Sequence, residues 1–77
     1  MFDLKIVGRN KVLFEGAAYS VFIEGSESEF ELLSFHSPLL GVLQKGDIVI
    51  DNRYKIKVTG GLVSFHDNIC YIITEEI

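Results

Sequence analysis

Proline and cysteine occur once each, at Pro38 and Cys70, and tryptophan is absent. A lone cysteine cannot form an intramolecular disulfide, which fits a reducing compartment. Basic residues are few, 7 Lys and Arg against 11 Asp and Glu, giving a net charge of −4. They are scattered except for Arg53, Lys55 and Lys57, so the chain lacks the basic face that neutralises nucleic-acid phosphates. Apolar runs such as Ile69 to Ile73 fall far short of the ~20 residues of a membrane helix. Met1-Phe2-Asp3 opens the chain without a basic targeting region, and the protein is expected to be soluble. There is no GxSxG, no phosphate-binding glycine loop, no HExxH and no Asp-x-Asp-x-Asp-Gly calcium loop. Nothing supports an enzyme, and neither a cofactor nor a resident metal is expected.

What the chain does have is 48% apolar residues in a length of 77. That suffices for one small domain, residues 1–77, burying about 60% of its unfolded surface. Phe2, Leu4 and Ile6 alternate with polar neighbours, as in a half-buried strand. Gly8-Arg9-Asn10 predicts a turn. Lys11 to Glu15 predicts a second strand with Val12 and Phe14 on one face, interrupted by Gly16. Ala18 to Glu24 predicts a longer strand with Tyr19, Val21 and Ile23 on one side and Phe22 on the other. Phe30 to Leu33 and Leu39 to Leu43 predict further short strands.

Two hairpin registers follow from side-chain patterning. A two-residue turn at Asn52-Arg53 would set Ile50 opposite Lys55 and scramble the faces. The three-residue connection Asp51-Asn52-Arg53 pairs Ile50 with Tyr54, Ile48 with Ile56 and Asp47 with Lys57. It keeps one face apolar and adds an opposite-charge pair. On this register Arg53, Lys55 and Lys57 form a solvated strand face. Gly60-Gly61 predicts a turn or bend. The last hairpin turns at Asp67-Asn68, placing His66 opposite Ile69 and Phe65 opposite Cys70. His66 and Cys70 then lie on opposite faces, so Cys70 reads as a small core residue and a zinc site is remote. Thr74 to Ile77 reads as a tail. The fold class is all-β, a small sandwich of eight to ten short antiparallel strands.

The stretch from Gly25 to Leu40 departs from simple alternation. Glu24, Glu27, Glu29 and Glu31 crowd together with no Lys or Arg, and His36-Ser37-Pro38 forms a stiff corner because proline fixes its own φ and extends Ser37. Acid followed by Phe30, Leu32, Leu33 and Phe35 suits a protein-docking surface. Leu32 and Leu33 read better as closing one end of the sandwich, whereas Phe35 suits either role.

At this point the sequence resembles a known family. Val12-Leu13-Phe14-Glu15-Gly16, Gly25-Ser26-Glu27-x-Glu29-Phe30, His36-x-Pro38-Leu39-Leu40 and Gly60-Gly61 before a final hairpin are similar, in order and spacing, to the epsilon subunit of F-type ATP synthases, called delta in mitochondria. The resemblance implies a small flattened antiparallel β-sandwich of about ten short strands, here without a C-terminal helical hairpin, at the foot of the rotating central stalk, docked on the gamma subunit and on polar loops of the proteolipid ring. Such a subunit transmits rotation, performs no chemistry and binds no nucleic acid or small-molecule substrate. It implies a peripheral position on the cytoplasmic face of a bacterial inner membrane, or its organelle equivalent. Glu29 matches the acidic residue facing the ring and His36 the histidine of the corner near gamma. The interface expected on this basis comprises Glu29, Phe30, Glu31, Phe35, His36 and Pro38. The family usually has glycine where this chain has Ser28, Glu31 and Phe35, and proline at Ser34, so the loop is expected to take a different path. Many members continue into a helical hairpin that can inhibit ATP hydrolysis. This chain stops at Ile77, after the last strand, and is therefore expected to couple the stalk to the ring without inhibiting through that hairpin. The alternative is a free-standing β-sandwich that binds a ligand or ion, with a small metal-dependent enzyme last.

Overall fold

The computed structural model describes residues 1–25 and 29–76. Eight strands occur among them: β1 (Phe2–Gly8), β2 (Lys11–Ala18), β3 (Ser20–Gly25), β4 (Glu29–Leu33), β5 (Leu39–Leu43), β6 (Gly46–Ile50), β7 (Tyr54–His66) and β8 (Ile69–Glu76). No helix is present among the described residues. The strands run in the order β2-β1-β8-β7-β6-β3-β4, with β5 also paired to β7.

β7 is the spine. Its first part, Tyr54 to Val58, pairs with β6, and its second, Gly61 to Phe65, pairs with β5. β5 and β6 thus lie end to end along one edge of a 13-residue strand. The sequence predicts a turn or bend at Gly60-Gly61, and the structure shows the bend: a bulge inside a continuous strand, with the β8 register shifting between Val58 and Gly60. Gly61 has φ 152°, and a Cβ there would collide with the Ile73 carbonyl and lie 2.9 Å from the Thr74 Cα. Only glycine lets the two backbones approach this closely.

The bend folds the sheet onto itself. One layer comprises β2, β1, β8, the second part of β7 and β5; the other comprises the first part of β7, β6, β3 and β4. Phe2, Leu4 and Ile6 of β1 share one buried core with Val21 and Ile23 of β3 and Leu32 of β4, from the far end of the strand order. Phe2 packs edge-on against Phe65, centroids 5.4 Å apart, while Phe14 of β2 meets Tyr54 of β7 at 6.4 Å.

Both predicted hairpin registers are present residue for residue. Asp51 and Asn52, and likewise Asp67 and Asn68, have the left-handed φ that Asp and Asn tolerate in turns. The ion pair of Asp47 runs diagonally to Lys55, at 3.9 Å, although Lys57 lies directly opposite.

Several local expectations are corrected. β2 continues through Gly16 to Ala18, and a bulge at Leu13 sets Val12 opposite Val7 but Phe14 opposite Ile6. Val12 and Phe14 therefore occupy opposite faces, since an extra residue inverts the alternation. Tyr19 is 66% exposed, not inward with Val21. It lies at a step between β2 and β3, where the N–H groups of Tyr19 and Ser20 both donate to Asp51 Oδ1, at 2.7 and 3.0 Å. Thr74 to Glu76 belong to β8, not to a tail, because the bulged β7 supplies partners that far. The sandwich is antiparallel with one exception, the parallel pairing of β1 with β8.

Candidate functional site

β4 and the corner after it carry the residues singled out from sequence. Glu29 stands opposite Glu24, which stands opposite Asp47 on β6. Three carboxylates thus cross three adjacent strands. Like charges directly opposite destabilise a sheet, so this row is an electrostatic cost to the isolated domain. Glu29 and Glu31 are exposed. Phe30 points the other way, half buried against the core opposite Ile23. Leu32 is fully buried, as its core-closing reading requires, while Leu33 is half exposed. Glu27 and Ser28 lie outside the described residues.

At the other end of β4 the chain turns. Phe35 adopts φ 61° and its ring is 83% exposed. Its N–H donates to Asn68 Oδ1 at 2.7 Å, and the His36 N–H donates to the Leu33 carbonyl at 3.2 Å. The His36 Nδ1 donates to the Ser37 carbonyl at 2.7 Å, and the ring stands edge-on to Phe65 at 5.7 Å. Pro38 is exposed and β5 follows at once. Glu29 opens β4 and the corner follows its last residue, so at about 3.4 Å per residue Glu29 and the corner of Phe35, His36 and Pro38 lie at opposite ends of the strand, with Glu31 midway along it.

A larger surface is not among the residues singled out. On the outer side of the five-stranded layer, Val42 lies opposite Leu62, Leu62 opposite Ile73, Ile73 opposite Val7 and Val7 opposite Val12. An apolar row therefore crosses every strand of the layer. Val42 is 75% exposed, and Leu62, Ile73 and Val12 about half. Exposed Leu40, Ile69 and Tyr71 lie on the same side but are interleaved with Ser64, His66, Asp3 and the Lys5–Glu15 ion pair, so the apolar row is bordered by polar groups. Contiguous apolar surface of this kind marks an interface. The signal was in the sequence: Ile69 to Ile73 is apolar throughout, yet only Cys70 and Ile72 are needed by the core. β5 adds to it, because Leu39 to Leu43 contains no charge to discourage edge pairing.

His66 and Cys70 fall on opposite faces, His66 exposed and Cys70 fully buried. Burial pushes the Cys70 thiol up to about 12, the behaviour of an inert core residue. No group of three His, Cys, Asp or Glu side chains converges on a metal position among the described residues. Among the described residues the arrangement offers surfaces for contact and no assembled chemical centre.

Comparison with known proteins gives these surfaces a setting. The family model for the β-sandwich domain of the ATP synthase delta/epsilon chain matches residues 1–77. The chain is similar to the ATP synthase epsilon chain of Leptospira borgpetersenii, 32% identical over 77 residues, covering 96% of this chain and 61% of that one. It is 30% identical over 80 residues to the epsilon chain of Chlorobaculum tepidum, covering 99% of this chain and 91% of that one. The chain thus spans about three fifths of the Leptospira relative and nine tenths of the Chlorobaculum one. Its fold matches a chain in the central stalk and c-ring structure of the Tetrahymena thermophila mitochondrial ATP synthase, with TM-score 0.80 at 21% identity, over 96% of this chain and 63% of that chain. From the bulged spine and paired hairpins to the end-to-end family match, the chain belongs to the ATP synthase delta/epsilon family, and its 77 residues form that family's β-sandwich domain.

Proposed function

We propose that the protein is a non-catalytic subunit of the central stalk of a rotary F-type ATP synthase. It docks on gamma and on the proteolipid ring and so couples ion translocation to ATP synthesis. The observation that carries this reading is one small domain with a shared core bearing two chemically different surfaces: an apolar row on the outer side of the five-stranded layer and an acidic end on β4. Torque transfer needs a body that does not yield between two attachments, and β7, shared by both layers, supplies that continuity.

Gamma takes the apolar face together with the corner of Phe35, His36 and Pro38. Burial of apolar surface there provides most of the affinity, at roughly 25 cal/mol per Å² before the costs of association. The ring takes the acidic end, where Glu29 and Glu31 meet basic side chains of its polar loops. Rim charges of this kind set orientation more than strength. Phe30 supports that end from beneath by packing on the core. The protein is accordingly peripheral to the membrane, held there by its complex on the cytoplasmic or equivalent organelle side.

The test is a pull-down with tagged protein from gently solubilised membranes of the native source. Recovery of gamma, the catalytic alpha and beta subunits and the proteolipid ring is expected. A folded protein that recovers none of them would overturn the reading and favour a free-standing ligand-binding sandwich.

A further inference from the structure

Phe35 combines two features that the stability of the domain does not explain. Its backbone is left-handed, φ 61°, a conformation that is strained for a bulky residue with a Cβ. Its ring is 83% exposed, so burial does not offset the strain. The conformation is held from outside: the Phe35 N–H donates to Asn68 Oδ1 at 2.7 Å, and Asn68 Nδ2 donates to the Met1 carbonyl at 3.0 Å. The Asp3 N–H closes the arrangement on the Asn68 carbonyl at 3.2 Å. The Phe35 backbone is thus held by the start of β1 and the β7–β8 turn together. Strained residues that persist because their surroundings over-determine them cluster where ligands or partners are gripped.

The surroundings also say which kind of partner. From Leu32 to Leu43 there is no Asp, Glu, Lys or Arg, and Leu40 and Val42 lead from the corner onto the apolar outer face. This stretch suits an apolar surface, whereas the acidic end of β4 suits a basic one. We propose that Phe35 is a specificity-determining anchor of the gamma contact, a pre-oriented aromatic knob entering an apolar socket on gamma. The inference rests on the stalk reading above and deepens it. An aromatic side chain is a frequent form of binding hot spot, and holding its backbone in advance lowers the cost of ordering it on contact.

The experiment separates backbone from ring. The parent, Phe35→Gly, Phe35→Ala and Phe35→Leu proteins are titrated onto ATP synthase catalytic complexes from the same source that have been stripped of this subunit, and each is melted alone. Phe35→Gly relieves the strained φ and is expected to melt no lower than the parent and up to a few degrees higher. Phe35→Ala keeps the strain and is expected to melt close to the parent, since the lost ring was solvated. Both are expected to bind about tenfold more weakly or worse, with Phe35→Leu retaining most of the affinity. Undiminished binding by the Gly or Ala variant would overturn the anchor while leaving the stalk reading in place. Failure of the parent itself to bind would remove both.

Discussion

The side-chain oxygen of Asn68 accepts the backbone N–H of Phe35 at 2.7 Å, joining the last hairpin turn to the corner after β4 across 33 residues of sequence. Asn68 is also the second left-handed residue of its own turn, φ 60°. One side chain therefore serves local turn chemistry and a long-range clamp at once.

These two roles can be separated by substitution. Asn68→Gly keeps a residue at ease in the left-handed region but removes the amide, so only the clamp is lost. Asn68→Ala loses both. Urea unfolding is expected to place the Gly variant about 1–2 kcal/mol below the parent, from broken hydrogen bonds to Phe35 and Met1. The Ala variant should lie about 1 kcal/mol lower again, from left-handed strain. Equal stability of the two variants would mean that the turn conformation contributes nothing.

The adjacent glycines of β7 should respond very differently. A Cβ on Gly60 meets only the Leu43 carbonyl, at 3.6 Å, an ordinary contact, whereas one on Gly61 drives into the β8 backbone. Gly60→Ala is expected within about 1 kcal/mol of the parent. Gly61→Ala should cost on the order of 4 kcal/mol or more, a large part of a small domain's stability. Circular dichroism melts of the two proteins, differing in one neighbouring methyl group, check the assignment of the bend.

Much of this architecture was legible because strand patterning is a two-residue code. Ile48, Ile50, Tyr54 and Ile56 can share a face in only one register, and Asp67-Asn68 fits only a tight turn, so both hairpins follow from the sequence. Where an extra residue breaks that code, sequence misleads. The Leu13 bulge sends Val12 outward, and Gly60-Gly61 looks the same whether the chain turns or bends within a strand. Glu29, Phe35, His36 and Pro38 are conspicuous in sequence through charge and backbone chemistry. The apolar outer face is signalled only where Ile69 to Ile73 runs apolar throughout; the row itself is assembled from five separate strands, each contributing one ordinary Val, Leu or Ile.

Cys70 gives the domain an alkaline signature. Burial raises its thiol to about 12 in the folded state, while in the unfolded chain it ionises near its ordinary value of about 8.5. The folded protein therefore holds its proton where the unfolded chain releases it. The stabilisation is fully present below about pH 8.5 and is lost as pH rises towards 12, with a limiting slope of about 1.4 kcal/mol per pH unit from this group. Between pH 9 and 10.5, urea unfolding of the parent should weaken more steeply than that of Cys70→Ala. Parallel profiles would show that the thiol is not held neutral by the core. In the native protein near pH 8 the thiol should also label slowly, and quickly once urea is added.

Glu29 is expected to show opposed effects on stability and on assembly. Its cross-strand neighbour is Glu24, and Glu24 in turn faces Asp47, so Glu29→Lys replaces a repulsive pair by an attractive one. The isolated domain should gain a few tenths of a kcal/mol, a gain that shrinks as salt screens the exposed charges. On the docking proposed above, the same change would set a positive charge against basic side chains of the ring, so engagement with the ring and ion-coupled ATP synthesis should fall while gamma binding persists. Measuring salt-dependent stability and coupling on one variant distinguishes a docking carboxylate from a merely tolerated one. A Glu29→Lys protein that is more stable and couples as well as the parent would show that the carboxylate row serves no partner.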